Sequence, residues 1–212
     1  MATTTSTAAT TSLTSVTLEV ADLDTARRFY GAFGVDAYIH LRASEAPSTG
    51  FRGFTLGLTV SNPATVDGFF GAAVAAGATV LKPAAKSLWG YGGVVQAPDG
   101  TIWKIATSAK KDTGADTREI DEVVLLLGVE AVKATRRLYT DRGLAVAKSV
   151  GGTYVEFAPA RSGRVKLALY KRRALAKDLG VPVDGTGSHR IVLGGSAGAF
   201  TDSDGFAWEA AA

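Results

Sequence analysis

Residues 15–34 read SVTLEVADLDTARRFYGAFG and predict a β-strand followed directly by an α-helix. Apolar and polar residues alternate over 15–20, which is the period of a strand with one buried face. Asp22 then stands at a helix N-cap position, apolar residues recur at helical spacing, and Gly34 supplies a C-terminal stop. The stretch therefore predicts a mixed α+β protein that begins with a half-buried strand.

The same strand-and-helix pattern recurs along the rest of the chain. A second helix is predicted to begin at Pro63 after the cap Asn62, and two more are predicted over 130–142 and 172–179. Alternating or continuous apolar runs bounded by turn residues indicate the strands. These strands are expected near 38–42, 54–60, 79–81, 92–96, 101–107, 120–127, 153–157, 165–170, 189–193 and 206–210.

Two sequence motifs occur twice, about a hundred residues apart, which indicates internal repetition. Residues 27–30 (RRFY) match 136–139 (RRLY), and 98–104 (PDGTIWK) match 203–209 (SDGFAWE). We therefore predict two homologous halves. The expected divisions are a disordered tail at 1–10, a first domain at 11–109, a polar linker at 110–117 and a second domain at 118–212.

Composition narrows the class of protein. Apolar residues make up 46% of the 212-residue chain and charged residues 20%, which is enough to bury a core. The absence of cysteine excludes disulfides, thiolate catalysis and cysteine-bound zinc. The net charge of +3 comes from short clusters, and we find no nucleic-acid-binding motif. We found no apolar run of membrane-spanning length and no secretory signal pattern, so we expect a cytoplasmic protein with no membrane or nucleic-acid partner.

The order of the motifs resembles the vicinal oxygen chelate superfamily of glyoxalase I, bleomycin resistance proteins and extradiol dioxygenases. The resemblance rests on the first strand, the sequence VADLD at 20–24, Gly34, the pair Trp89-Gly90 and the turn 98–100. It implies an α+β fold of tandem βαβββ modules in a two-domain form, with pairs of modules curved into cups. The first and last modules look shortened. Whether each half forms its own cup, or the middle modules pair with each other, stays open.

In the resembled superfamily, cup-facing residues of the first and last strands hold a divalent metal ion, which polarises an oxygen or activates water. In the first half the matching positions are Ser15, Thr55 and Lys104. A lysine ammonium has no lone pair for a metal, so we expect the first half to be metal-free. Lys104 would hold an anionic ligand group or pair with Glu19, and we favour the ion pair.

The remaining candidate ligand-binding residues lie on the predicted cup face or in the aromatic loop beside it. Trp89 and Tyr91 stand next to glycines, so this loop could close over a flat ligand, or pack as a hairpin against the sheet. The full candidate set comprises Thr17, Glu19, Thr55, Thr59, Trp89, Tyr91 and Lys104.

In the second half the matching positions are Glu122, His189 and Glu209. One imidazole and two carboxylates suit a divalent ion such as iron, manganese, nickel or zinc. The alternative for His189 is an ordinary hydrogen-bonded histidine on a strand. The sequence leaves both interpretations open and identifies no catalytic residue.

Three functions follow from these patterns. The leading one is a small-molecule-binding protein that sequesters a hydrophobic or aromatic metabolite or antibiotic in a metal-free cup, although a basic chain suits cationic bleomycin poorly. The second is a metal-dependent lyase, isomerase or dioxygenase with its site in the second half. The third is a structural or interaction protein with vestigial cups. The protein would be a monomer with pseudo-dimeric halves or a homodimer.

Overall fold

The computed structural model describes residues 11–160 and 163–211, and the predicted tail at 1–10 lies outside this part of the chain. Four helices fall where the sequence predicts them. They are α1 (Leu23–Phe33), α2 (Pro63–Ala75), α3 (Val132–Asp141) and α4 (Arg172–Leu179). The strands are β1 (Leu13–Val20), β2 (His40–Ala43), β3 (Ser48–Gly50), β4 (Phe54–Thr59), β5 (Thr79–Ser87), β6 (Gly90–Gln96), β7 (Ile102–Thr107), β8 (Glu122–Val129), β9 (Val146–Val150), β10 (Tyr154–Phe157), β11 (Val165–Lys171), β12 (Gly185–Gly187), β13 (Ile191–Gly195), β14 (Phe200–Thr201) and β15 (Ala207–Ala210).

The ends of the helices follow from local side-chain chemistry. The Asp22 carboxylate accepts backbone N–H bonds at the start of α1, and Gly34 ends that helix with a left-handed φ of 87°. Asn62 caps α2 in the same way. The α3 helix has no side-chain cap, and Asp204 from a distant loop accepts the Glu130 N–H just before the helix at 2.8 Å and the Thr135 hydroxyl within it at 3.0 Å.

The strands form two large sheets that combine modules from both halves of the sequence. The eight-stranded sheet has the order β5-β6-β7-β4-β8-β11-β10-β9, and the five-stranded sheet has the order β14-β15-β13-β1-β2. The first strands of the two middle modules, β4 and β8, pair in antiparallel fashion, as do β1 and β13. The middle modules therefore pair with each other, and the first and last modules form the smaller sheet.

One hydrophobic core joins the inner faces of the two sheets with α1, α2 and α3. Leu56 and Leu125 contribute from the large sheet and Leu18 from the small one. Trp103 and Trp208, which strand parity assigns to the core, are 0% and 2% exposed, so that prediction is confirmed. The outer face of the eight-stranded sheet is called the large cup face below, and that of the five-stranded sheet the small cup face.

The first and last modules are shortened, as the sequence predicts. Within the described residues, no helix separates β13 from β14, and the first module contributes only β1 and β2 to the five-stranded sheet. The sequence missed β3, β9, β12 and β14. The β9–β10 hairpin turns at Gly151 and Gly152, which have φ values of 57° and 70°, a conformation that glycine adopts at little cost.

Helix α4 lies on the large cup face and covers one end of it. Leu175 and Leu179 of α4 are fully buried in a second, smaller cluster that includes Ile102 of β7. The close approach requires Gly128 on β8, because a Cβ there would come within 3.1 Å of the Leu175 side chain. The rest of the large cup face stays partly open to solvent.

Candidate functional site

Two lysines occupy equivalent central positions on the large cup face. Gly57 of β4 lies opposite Val124 of β8, so the pseudo-two-fold axis that relates the middle modules passes between these strands. Lys104 on β7 is the neighbour of Gly57, and Lys166 on β11 is the neighbour of Val124. Each middle module therefore contributes one lysine from its last strand.

Both lysines are ion-paired and remain partly exposed. The Lys104 ammonium lies 2.6 Å from Oδ2 of Asp178 in α4, with side chains 41% and 44% exposed. Lys166 pairs with Glu122 and lies 3.7 Å from Oε1 of Glu156. Its hydrogen bond to Glu122 raises the pKa of Lys166, and partial burial opposes this. The floor of the large cup face thus carries two mutually compensated charge pairs.

The predicted ion pair between Lys104 and Glu19 is wrong. Lys104 belongs to β7 in the eight-stranded sheet, whereas Glu19 belongs to β1 in the five-stranded sheet. The partner of Lys104 is Asp178, which reaches it because α4 folds back over the large cup face. Lys104 and Asp178 are far apart in the sequence, so no local pattern predicted this contact.

A cavity of about 360 Å³ lies beside Lys104. Its wall includes the β5–β6 hairpin, where Gly92 carries no side chain and a Cβ would meet the Ile105 carbonyl oxygen at 2.6 Å. Trp89 at the hairpin tip is 83% exposed and borders the cavity. The Tyr91 hydroxyl donates a hydrogen bond to Asp67 of α2, on the opposite face of the sheet.

The two threonines predicted on β4 have different environments. Thr55 is 2% exposed and donates its hydroxyl to the Ile102 carbonyl oxygen at 2.9 Å. Thr59 is exposed at the other end of the strand, directly opposite Glu122 in the ladder. Of these two side chains, Thr59 is the one within reach of a ligand on the open part of the face.

The small cup face brings together Thr17, Glu19 and Glu209 around an arginine that the sequence analysis missed. Arg42 of β2 lies 3.2 Å from Oε1 of Glu19 and 2.8 Å from Oε1 of Glu209. Because β1 and β13 separate β2 from β15, this guanidinium spans the two central strands. The hydrogen bond to Glu209 raises the pKa of Arg42, and burial opposes this. Thr17 shares the face with Glu19, two residues along β1.

The structure does not bring Glu122, His189 and Glu209 together. Glu122 pairs with Lys166 on the large sheet, and Glu209 pairs with Arg42 on the small one. The physical reason is the pairing of modules, which places β8 and β15 in different sheets. Within residues 11–160 and 163–211, no group of three or more His, Cys, Asp or Glu side chains could hold a metal ion.

His189 is bonded to backbone on both sides of its ring. Nδ1 contacts the Arg52 carbonyl oxygen, Nε2 lies 2.9 Å from the Asp204 carbonyl oxygen, and the ring stacks on Phe206 with centroids 4.2 Å apart. A neutral ring donates one of these bonds, and an imidazolium donates both. His189 lies just before β13 and not on the predicted strand, and its two ring nitrogens tie two loops together, as in the hydrogen-bonded alternative.

The residues at the centre of the large cup face do not fit a metal ion. Gly57 and Val124 offer no side-chain ligand, and the ammonium groups of Lys104 and Lys166 repel a cation. The sequence analysis missed Lys166. Side-chain alternation along the predicted strand 165–170 would have placed Lys166 on the cup face, as alternation along 101–107 placed Lys104. The same parity argument on 38–42 would have found Arg42.

Comparisons with solved structures agree with this architecture. The chain is similar to a single-site mutant of glyoxalase I from Zea mays, with a TM-score of 0.57, 14% identity, and coverage of 94% of this chain and 92% of that one. It is also similar to unmutated Zea mays glyoxalase I (TM-score 0.55, 12% identity, 93% and 91% covered). A Bacillus subtilis subsp. subtilis str. 168 protein proposed to be a dioxygenase gives a TM-score of 0.54 at 14% identity, with 92% and 72% covered.

No protein-family model and no curated protein matches the sequence. The structural likeness nevertheless confirms the predicted resemblance at the level of architecture: the chain has the glyoxalase, or vicinal oxygen chelate, fold of βαβββ modules. None of the helices in the described part of the chain is long and apolar enough to cross a membrane.

Proposed function

We propose that this protein binds a small aromatic molecule carrying an anionic group on the large cup face, without a metal ion there. The observation that carries the proposal is the pair of lysines, Lys104 and Lys166, at equivalent central positions of the paired middle modules. At the centre of this cup stand two ammonium groups, each paired with a carboxylate that the anionic group of a ligand would replace. An anion is the complementary partner for such a surface.

The ion pair at Lys104 can be exchanged at low cost. Lys104 and Asp178 are both more than two-fifths exposed, and such pairs contribute about 0–1 kcal/mol to stability. An incoming carboxylate or sulfonate can therefore replace Asp178 as the partner of the ammonium group. Lys82 and Lys86 also line the cavity and add to its positive charge.

The hairpin beside the lysine favours a flat ring. The cavity of about 360 Å³ is large enough for a compact aromatic molecule, since small-molecule sites begin at roughly 300 Å³. Trp89 and the side-chain-free surface at Gly92 provide stacking area, and Trp89 has free space around it because it is 83% exposed. Stacking of this kind contributes about 0.5–1.5 kcal/mol.

Tryptophan fluorescence tests the proposal. Trp103 and Trp208 are buried, so ligand-dependent quenching in the presence of a chelator reports mainly on Trp89. The probes are 1-naphthoate, the neutral 1-naphthylmethanol and the cationic 1-naphthylmethylamine. We expect saturable quenching by 1-naphthoate, and we expect 1-naphthoate to bind more tightly than the other two probes. Lys104→Met should weaken it about tenfold, the loss of one charge-assisted contact.

Lys133→Met is the matched control. Lys133 is exposed on α3, so this substitution removes the same charge at a position away from the cavity. It should bind 1-naphthoate as the unsubstituted protein does. Equal binding by Lys104→Met and the unsubstituted protein would contradict the proposal. So would the lack of any saturable quenching or shift in melting temperature with all three probes.

The metal-dependent enzyme remains the alternative hypothesis, but no specific contact favours it. Its three predicted ligands, Glu122, His189 and Glu209, bind separate partners, so we derive no catalytic step from them. The hypothesis of vestigial cups makes a different prediction from ours, since it expects none of the three probes to bind.

A further inference from the structure

A second cavity lies away from both cup faces, between the start of α1 and the turn that follows β6. Its volume is about 200 Å³, and its lining includes Asp22, Tyr30, Arg52, Asp99 and Arg190. Two arginines and two aspartates therefore line this small cavity. The proposed binding of an aromatic anion to the large cup face does not use either arginine.

Each of these arginines has a buried N–H group without a partner among the described residues. The atoms are Nη1 of Arg52 and Nε of Arg190. Each side chain has used another nitrogen on backbone, Arg52 on the carbonyl oxygen of Asp99 and Arg190 on that of Ser44. Buried donors left without an acceptor cost free energy, and both of these side chains belong to the cavity lining.

The two guanidinium groups also disfavour each other. Burial lowers the pKa of Arg52; the Asp99 carboxylate opposes this effect and the positive charge of Arg190 adds to it. The protein holds the two like charges in place through His189, whose ring binds the Arg52 carbonyl oxygen and whose chain neighbour is Arg190. An anion in the cavity would relieve the repulsion.

Backbone strain at Arg190 points the same way. Its φ is 56°, in the left-handed region that residues other than glycine, asparagine and aspartate seldom adopt. Strained residues of this kind persist only where the surroundings hold them, and they concentrate at ligand sites. The strain fixes the direction in which the Arg190 side chain leaves the backbone just before β13.

The carboxylates on the cavity wall are already satisfied. Oδ2 of Asp99 accepts from the Tyr30 hydroxyl at 2.9 Å, and Oδ1 accepts from the Thr101 N–H at 2.9 Å. Asp22 uses its oxygens on the first turn of α1, including a 2.6 Å bond from the Thr25 hydroxyl. Neither carboxylate therefore accepts a hydrogen bond from the unpaired donors of Arg52 and Arg190.

We propose that this cavity is a site for a small oxyanion, a phosphate or a carboxylate group, held between the Arg52 and Arg190 side chains. Guanidinium groups present N–H donors in a planar fork that matches two oxygens of one such group. The volume of about 200 Å³ admits inorganic phosphate or a compact carboxylic acid and leaves little room for a larger substituent.

The test is thermal unfolding and isothermal titration calorimetry of the whole chain at constant ionic strength, with inorganic phosphate and with acetate as separate probes. We expect a saturable rise in melting temperature with at least one probe, and the stronger probe identifies the preferred oxyanion. Arg52→Gln should weaken binding about tenfold or more, because it removes a charge-assisted hydrogen bond. Arg190→Lys keeps the charge but loses the planar fork, so it should weaken binding as well.

Arg137→Gln is the matched control, since that side chain is 85% exposed on α3, and it should bind as the unsubstituted protein does. If Arg52→Gln fails to fold, the comparison of Arg190→Lys with this control decides. The proposal is overturned if neither probe gives a saturable effect. It is also overturned if the control loses binding equally, or if both site variants bind as the unsubstituted protein does. Binding of 1-naphthoate to the large cup face is measured separately, so the two proposals can fail independently.

Discussion

Replacing Tyr139 by phenylalanine should destabilise the fold by about 2–4 kcal/mol. The Tyr139 hydroxyl is fully buried, donates to Oδ2 of Asp202 at 2.6 Å and accepts from Nε1 of Trp208 at 3.2 Å. Asp202 is 6% exposed; burial raises its pKa, and the hydrogen bond from Tyr139 opposes the rise. Phenylalanine keeps the ring volume but leaves both partners with one bond fewer in a dry environment, where unmet polar groups cost most.

The first half supplies an internal comparison. Tyr30 donates to Oδ2 of Asp99 at 2.9 Å, but Asp99 is less buried and the same Oδ2 also accepts from the Thr101 hydroxyl at 3.1 Å, whereas the backbone N–H groups that bind Asp202 reach its Oδ1. Tyr30→Phe should therefore cost only about 1 kcal/mol. Urea unfolding followed by circular dichroism gives both values, and the m-values should not change because the exposed area is the same. Equal costs for the two substitutions, or less than about 1 kcal/mol for Tyr139→Phe, would refute the reasoning.

Three further predictions concern stability. Burial raises the pKa of Tyr30 and Tyr139 well above the ordinary value of 10.0. The folded state therefore keeps these protons at a pH where the unfolded state has lost them. The free energy of unfolding should fall as the pH rises above 10. Urea titrations at increasing pH measure this, and Tyr139→Phe should show a smaller slope. Asp204→Ala should lower the free energy of unfolding by about 1 kcal/mol or more, since it removes the hydrogen bonds from the Glu130 N–H and the Thr135 hydroxyl. An unchanged urea midpoint would argue against that role. Gly31→Ala should raise it by about 0.5–1 kcal/mol, because a Cβ there meets nothing within 4 Å in the interior of α1; a lower melting temperature would contradict this.

The sequence by itself determined the helices, the longer strands and which face of each is buried. Four helices and the main strands follow from apolar periodicity and from caps such as Asp22 and Asn62, which act within a few residues. Parity also placed Trp103 and Trp208 in the core and Lys104 on a cup face, since side chains alternate along any strand. The strands β3, β12 and β14 escaped because two or three residues carry no measurable period, and β9 escaped because its five residues are largely exposed and show no apolar alternation.

Only the tertiary structure decided which modules pair and which charges meet. The first strands of the modules are all apolar segments, so local sequence carries no preference between β4 and β13 as the partner of β8. The choice of β4 placed Lys166 opposite Lys104 and separated Glu122 from Glu209. The contacts of Arg42, Asp178 and the Arg52–Arg190 cavity depend on the same long-range pairing, because loops far apart in sequence meet only after the two sheets have formed.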